Sequence, residues 1–267
     1  MYSLNGVPLD NPTYGWTMLA DSDPMAGYVA RLNNLEQDGI DGDFELPSSL
    51  ESPMPSIRVE SPKAHFERLR LLVQQKTLYL SRTSDPSRRR KVQFVTDKSP
   101  EIFGDDEAIG HFGIMLRAND VYYRDTAEIT TAPASIGAAG SGSLTVGVDL
   151  FTGMSAPVTD AVYRIKGGWT QLLITDTEGQ SFYYGGTLPN GSYMRFESKT
   201  GLVFVTTSDT WEAGTNVTAD SRNGPGPGYF GLSPVYGDTF KGRVTVRTLA
   251  RVGTPTLEVR GRRAFIA

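Results

Sequence analysis

The chain has 267 residues, no cysteine, 39% apolar and 21% charged residues, and a net charge of −4. The missing thiols remove disulfides, thiolate catalysis and Cys-ligated metals. With 14 basic and 19 acidic residues up to position 125 and 12 and 11 after it, neither half carries the charge of a polyanion binder.

Residues 2 to 4 form a short strand that runs into Asn5-Gly6. That dipeptide suits a two-residue type I′ turn, because both central positions need φ > 0. Val7, Pro8 and Leu9 return, and Pro8 and Pro12 suit a sheet edge, where a missing N–H breaks no ladder. The opening therefore reads as a hairpin whose edge strand is covered or offered to a neighbour. It shows no basic n-region and no apolar h-region. Residues 28 to 32 alternate as a strand. Residues 38 to 43 space acidic groups alternately, but no closing Glu and no flanking helices complete a calcium loop, so an acidic loop with two turn glycines is expected. Residues 47 to 56 form a proline-rich connector, and 57 to 60 a strand.

One helix is expected, with Ser61 as N-cap and Pro62 as first helical residue, ending near Gln75. Phe66, Leu69, Leu72 and Val73 share one of its faces. Strands follow at 77 to 81 and 92 to 95. Arg88, Arg89, Arg90 and Lys91 form the one dense charge run. It is expected as a solvated turn, or as a partner for Asp105, Asp106 and Glu107, rather than as a phosphate site. Residues 111 to 118 read as a long strand. His65 and His111 have no partners at metal or triad spacing and are expected at the surface or half-buried.

Residues 131 to 143 hold no charge and no aromatic ring, and read as a linker between two domains. Behind them strands recur at 143–148, 161–165, 171–176, 181–184, 192–197, 202–206, 229–232, 239–249 and 256–259, separated by glycine turns. That is the pattern of a β-sandwich. Residues 224 to 228, GPGPG, lack the strand–helix context of a phosphate loop. No carboxylate pair stands out for glycoside hydrolysis. No catalytic residue, cofactor or metal is expected, and no apolar run approaches the ~18 residues that cross a bilayer.

The opening residues 2 to 9, the helix beginning at Ser61, the strands ending near Tyr122 and Tyr123, and the neutral segment form one set of features. A second set is the run ITDTEG at 174 to 179 followed by LPNGSYMRF at 188 to 196. Together they resemble the distal tail proteins of long-tailed, non-contractile bacteriophages, through element order and loose motifs across most of the chain. The resemblance implies a mainly β fold: a ring-forming, tail-tube-like domain with one α-helix over 1–130, a linker over 131–143, and a galectin-like β-sandwich over 144–267. It implies a structural virion protein, not an enzyme, assembled in the host bacterial cytoplasm and placed at the tail tip. There it forms a hexameric ring between the tail tube and the tail tip or baseplate. Tube, tape-measure and tail-fibre or tail-associated proteins are its implied partners. DNA passes through the lumen without specific binding, which the acidic front half suits.

For ring contacts the expectation falls on Tyr2, Leu4, Val7 and Leu9, and on Asp38, Ile40 and Phe44 of the acidic loop. The alternative is a carbohydrate-binding module, or a docking module for receptor-binding proteins. Trp169, Tyr184, Trp211 and Tyr229 are then the candidate glycan contacts, against the commoner use of such rings as core. Tyr183 and Tyr184 point to opposite faces of a strand, so at most one of them faces a groove.

Overall fold

The computed structural model describes residues 1–27, 30–31, 34–36, 43–45, 49–103, 108–223, 230–235, 237 and 240–266. The chain is mainly β and divides into two compact units, Met1–Thr126 and Ala127–Ile266.

The first unit opens as expected. Tyr2–Leu4 pairs Val7–Pro8 through a turn in which Asn5 and Gly6 take φ of 48° and 80°. The edge assignment is corrected by one strand. Tyr2–Leu4 also pairs Leu78–Arg82, so it lies inside the sheet, and the edge is the two-residue strand carrying Pro8. The sheet continues from Leu78–Arg82 to Asp85–Phe103, Ile109–Ala118, Ser56–Pro62 and Thr17–Met18, all antiparallel.

The helix keeps its expected face but starts later. Ser61 and Pro62 remain in the strand, where Ser61 pairs Gly110 and is fully buried in phase with Ile57 and Val59. The Ser61 hydroxyl donates to the Pro62 carbonyl at 3.0 Å instead of capping a helix. A turn of 3₁₀ helix, Lys63–His65, leads into the α-helix Phe66–Val73. Phe66, Leu69, Leu72 and Val73 are buried, and the Phe66 ring meets Phe112 of the sheet at 6.4 Å.

The basic run is strand rather than turn, and of its four residues Arg90 alone is buried while Lys91 is exposed. It lies in Asp85–Phe103, and alternation puts Arg90 in phase with buried Val92. Arg90 is fully buried, donates to the Met25 carbonyl at 3.2 Å and lies 4.4 Å over the Tyr123 ring. Its neighbour Arg89 covers Tyr79 at 4.0 Å. Residues 105 to 107, the expected partners, lie outside the described residues.

The second unit is a sandwich of two antiparallel sheets. One orders Ile129–Thr130, Thr256–Gly261, Val162–Lys166, Tyr193–Glu197, Val203–Thr206 and Thr215–Asn216. The other orders Leu144–Asp149, Lys241–Arg251, Trp169–Asp176, Ser181–Leu188 and Ser221–Asn223. Their inner faces meet where Phe196 of the first stacks on Phe182 of the second at 4.0 Å, with Tyr163 and Phe230 around them. Of the strand expected at 229 to 232, residue 229 lies outside the described residues, and in the rest Leu232 makes a single bridge to Val158. Within the segment 131 to 143, Ala134–Ser135 pairs Thr256–Gly261 and Ile136 is fully buried. Arg251 holds the same segment by donating to the carbonyls of Ala138 at 2.8 Å and Gly142 at 2.9 Å.

Candidate interaction surfaces

A long ribbon dominates the first unit. Asp85–Phe103 pairs Ile109–Ala118 along its whole outer half, with register shifts after Phe94 and Lys98. On its other side Leu78–Arg82 reaches only as far as Val92. Residues 93 to 103 therefore present one edge that no strand covers among the described residues, roughly 35 Å of backbone at strand rise. Alternate N–H and C=O groups of such an edge face outward, save at Pro100, which has no N–H to give, and form a template for another chain. Apolar side chains flank it: Val95, Ile102 and Ile109 are 47%, 42% and 45% exposed.

The residues expected at a ring contact lie elsewhere. Tyr2 and Val7 are half-buried on the two strands that extend the sheet beyond Leu78–Arg82, on the same flank of the long strand as its open edge. Leu4 and Leu9 are fully buried in the core, because their parity directs them inward under the hairpin. Asp38 and Ile40 lie outside the described residues, and Phe44 sits in the strand Asp43–Glu45, paired with Leu35. The sequence hid the ribbon's length: the charges of Arg88 to Lys91 interrupt its first half, and Asp97, Lys98 and Pro100 its second.

On the sandwich, Trp169 and Tyr184 pack edge-on at 5.9 Å inside the core and do not reach a surface. The Trp169 indole donates to the Lys166 carbonyl at 3.1 Å. Trp211 is half-buried on the outer face of the first sheet, between the guanidinium groups of Arg164 at 4.7 Å and Arg260 at 4.9 Å. Arg195 donates to its carbonyl. Carboxylates neutralise these cations: Asp209 and Glu258 each lie 2.6 Å from Arg164, and Glu212 lies 2.9 Å from Arg260. The segment carrying Trp211 is thus a strap fastened over that face. Tyr229 lies outside the described residues.

The outer face of the second sheet is open. Strand register places Thr145, Arg247, Leu173, Tyr183 and Arg222 in one row across its five strands. A cavity of about 190 Å³ opens beside this row, lined also by Ser143, Gln171 and Leu249. Gln171 sits in a bulge with φ of +52°, a conformation that costs a non-glycine residue energy and recurs at binding sites. Of the tyrosine pair, Tyr183 faces out and Tyr184 in, so the parity argument holds with the other member chosen.

Two carboxyls show how position sets charge. The Arg243 guanidinium, 2.5 Å from Asp149, holds that carboxyl below the usual value of 3.8. Burial pushes the Asp176 carboxyl up, although the backbone N–H groups of Gln180 and Glu178 donate to it at 2.8 Å and 3.0 Å. His111 is half-buried between Glu60 at 3.2 Å and Arg58 at 3.3 Å. Among the described residues no group of three or more His, Asp or Glu could hold a metal ion, and no helix is long and apolar enough to cross a membrane.

No protein-family profile matches this sequence, and no curated protein matches it. Solved structures do. SPP1 Dit, described as a paradigm of the hub adsorption apparatus in Gram-positive infecting phages, aligns over 98% of this chain and 99% of its own, with a TM-score of 0.57 and 11% identity. The two chains share one fold. Two structures of the phage p2 baseplate in its activated conformation, with Ca and with Sr, align at 9% identity. They cover 93% and 88% of this chain and 90% and 87% of their own, with TM-scores of 0.37 and 0.33, and carry no further argument.

Proposed function

We propose that this chain is a structural subunit of a phage tail tip, a hub protein that closes into a ring, and not an enzyme. The full-length likeness to SPP1 Dit supports a hub architecture. The observation that carries the ring is the open edge of residues 93 to 103 with Val95 and Ile102 exposed beside it. A head-to-tail contact made by such an edge closes when the rotation per protomer divides a full turn. In this reading the first unit, residues 1–126, forms the ring, hexameric, around a channel for DNA. The sandwich of residues 127–266, into which the segment expected as a linker is built, faces outward at the virion tail tip. Tail tube, tape-measure and tail-fibre proteins are its neighbours. Tyr2 and Val7, on the outermost strands of the same flank, remain available for a further contact.

Light scattering after size exclusion tests this on the full chain. The wild type is expected at about six protomer masses, and the pair Val95→Lys and Ile102→Lys as a monomer with unchanged melting, because edge lysines oppose strand addition. A wild type that stays monomeric at high concentration with its tail partners present overturns the ring. A lysine variant that assembles like wild type overturns the edge.

A further inference from the structure

We infer that the outer face of the second sandwich sheet is a binding site for a short acidic saccharide, centred on Tyr183 and Arg247. The floor of the site is built by register: Leu173 lies directly between Tyr183 on one strand and Arg247 on the next, on the side opposite buried Leu172 and Ile174. Gly185, two residues on and on the same face, carries no side chain to prop the Tyr183 ring up. A Cβ there would stand 3.4 Å from Cε1 and 3.5 Å from Oη of Tyr183, so the ring lies down along its own strand over that glycine. A ring lying along a sheet offers a broad apolar face to the C–H side of a pyranose, and its hydroxyl stays at the rim.

Charge selects the ligand. Among the described residues no carboxylate pairs with Arg247 or Arg222, whereas Arg164, Arg243 and Arg260 are all paired. Arg247 spends its Nε donor on the Ser143 hydroxyl at 3.0 Å, which fixes the guanidinium beside the cavity. Arg222 closes the other end of the row, three strands or about 14 Å away. Gln171, turned outward by its bulge, adds a neutral donor and acceptor. Two cations flanking an apolar platform fit a sugar ring with a carboxylate or phosphate on it or on its neighbour. The cavity, about 190 Å³, holds a sugar ring and is smaller than a drug-sized pocket. The net charge of −4 leaves long polyanions unattracted, so selectivity lies in the row itself.

Titration calorimetry or saturation-transfer NMR on the full chain tests the site with three probes: an oligogalacturonate, a phosphate-bearing oligosaccharide of equal length, and maltotriose. Binding of either acidic probe is expected, with the stronger of the two naming the anion, and maltotriose at least about fivefold weaker. Tyr183→Ala and Arg247→Ala are each expected to weaken the acidic probe about fivefold or more, while Tyr183→Phe, which keeps the ring, restores binding. Trp211→Ala, on the other sheet, is expected to leave it unchanged. Absence of binding by all three probes overturns the site. So does equal binding of maltotriose, or wild-type affinity in Tyr183→Ala. Loss of a tail-protein partner in Tyr183→Ala without any saccharide binding assigns the face to protein docking and also overturns it. The ring reading is indifferent to every one of these results.

Discussion

Gly185 and Gly186 are neighbours in one strand, yet the same substitution is expected to act oppositely at the two. A Cβ on Gly185 would meet Tyr183 at 3.4 Å, an ordinary contact on an open face. A Cβ on Gly186 would stand 2.6 Å from Cε1 and 2.8 Å from Cζ and Oη of Tyr184. Those atoms end a side chain that could swing away in solvent, but Tyr184 is 6% exposed and Trp169 stands edge-on against it at 5.9 Å. Overpacking of this kind costs about 1–3 kcal/mol. Relief of glycine's unfolded-state entropy returns about 0.4–1 kcal/mol at both positions. Gly185→Ala is thus expected to be neutral or slightly stabilising, and Gly186→Ala to destabilise by about 1–2 kcal/mol. At an m-value of about 2 kcal/mol/M the two urea midpoints separate by roughly 0.5–1 M. The transition belonging to the sandwich is the one that Phe196→Ala shifts. In a Tyr184→Leu background the cost of Gly186→Ala should fall by about 1 kcal/mol, the coupling expected of residues in contact. Equal midpoints for the two alanine variants, or no coupling to Tyr184, would refute the reasoning.

Two further outcomes follow from single contacts. Asn5 accepts from the Tyr79 N–H at 2.7 Å, donates to the Thr77 carbonyl at 2.9 Å and holds φ of 48°. Asn5→Ala should cost about 1–3 kcal/mol in thermal unfolding, and Asn5→Gly should recover only the backbone part. Asp149 has its carboxyl held down by Arg243, so its contribution to stability is present above pH 3.8 and is lost as pH falls through the lower folded value. A carboxyl ¹³C titration should show that midpoint rising towards 3.8 in Arg243→Ala, and an unmoved midpoint would remove Arg243 as the cause.

The sequence made local features legible wherever backbone chemistry decided them. Asn5-Gly6 could form little but its turn, and the helix face of Phe66, Leu69, Leu72 and Val73 repeated at helical spacing. Ser61-Pro62 misled because a capping pair competes with strand pairing. Burial of Ser61 opposite Gly110 won, and the helix began after a 3₁₀ turn. The basic run misled because charge alone says nothing of parity. Arg90 was in phase with Val92, and the Tyr123 ring gave its guanidinium a place indoors. At the candidate saccharide face the letters Tyr-Tyr-Gly-Gly held the answer in outline. Which tyrosine faced out depended on the phase of a bulged sheet, and that phase was fixed by Leu172 and Ile174 on the neighbouring strand.

The open edge of residues 93 to 103 also bears on how little a shared fold asks of its letters. A seam stitched by main-chain amides and carbonyls asks for spacing and direction and is nearly blind to which residues supply them. Mutations can rewrite such a strand almost letter by letter, and even Pro100 is tolerated on it because an edge position breaks no ladder within the sheet. Side-chain interfaces have no such freedom, since each change on one surface calls for an answer on the other. Edges of this kind ask little of sequence, and the fold shared with SPP1 Dit over 98% of this chain comes with 11% identity.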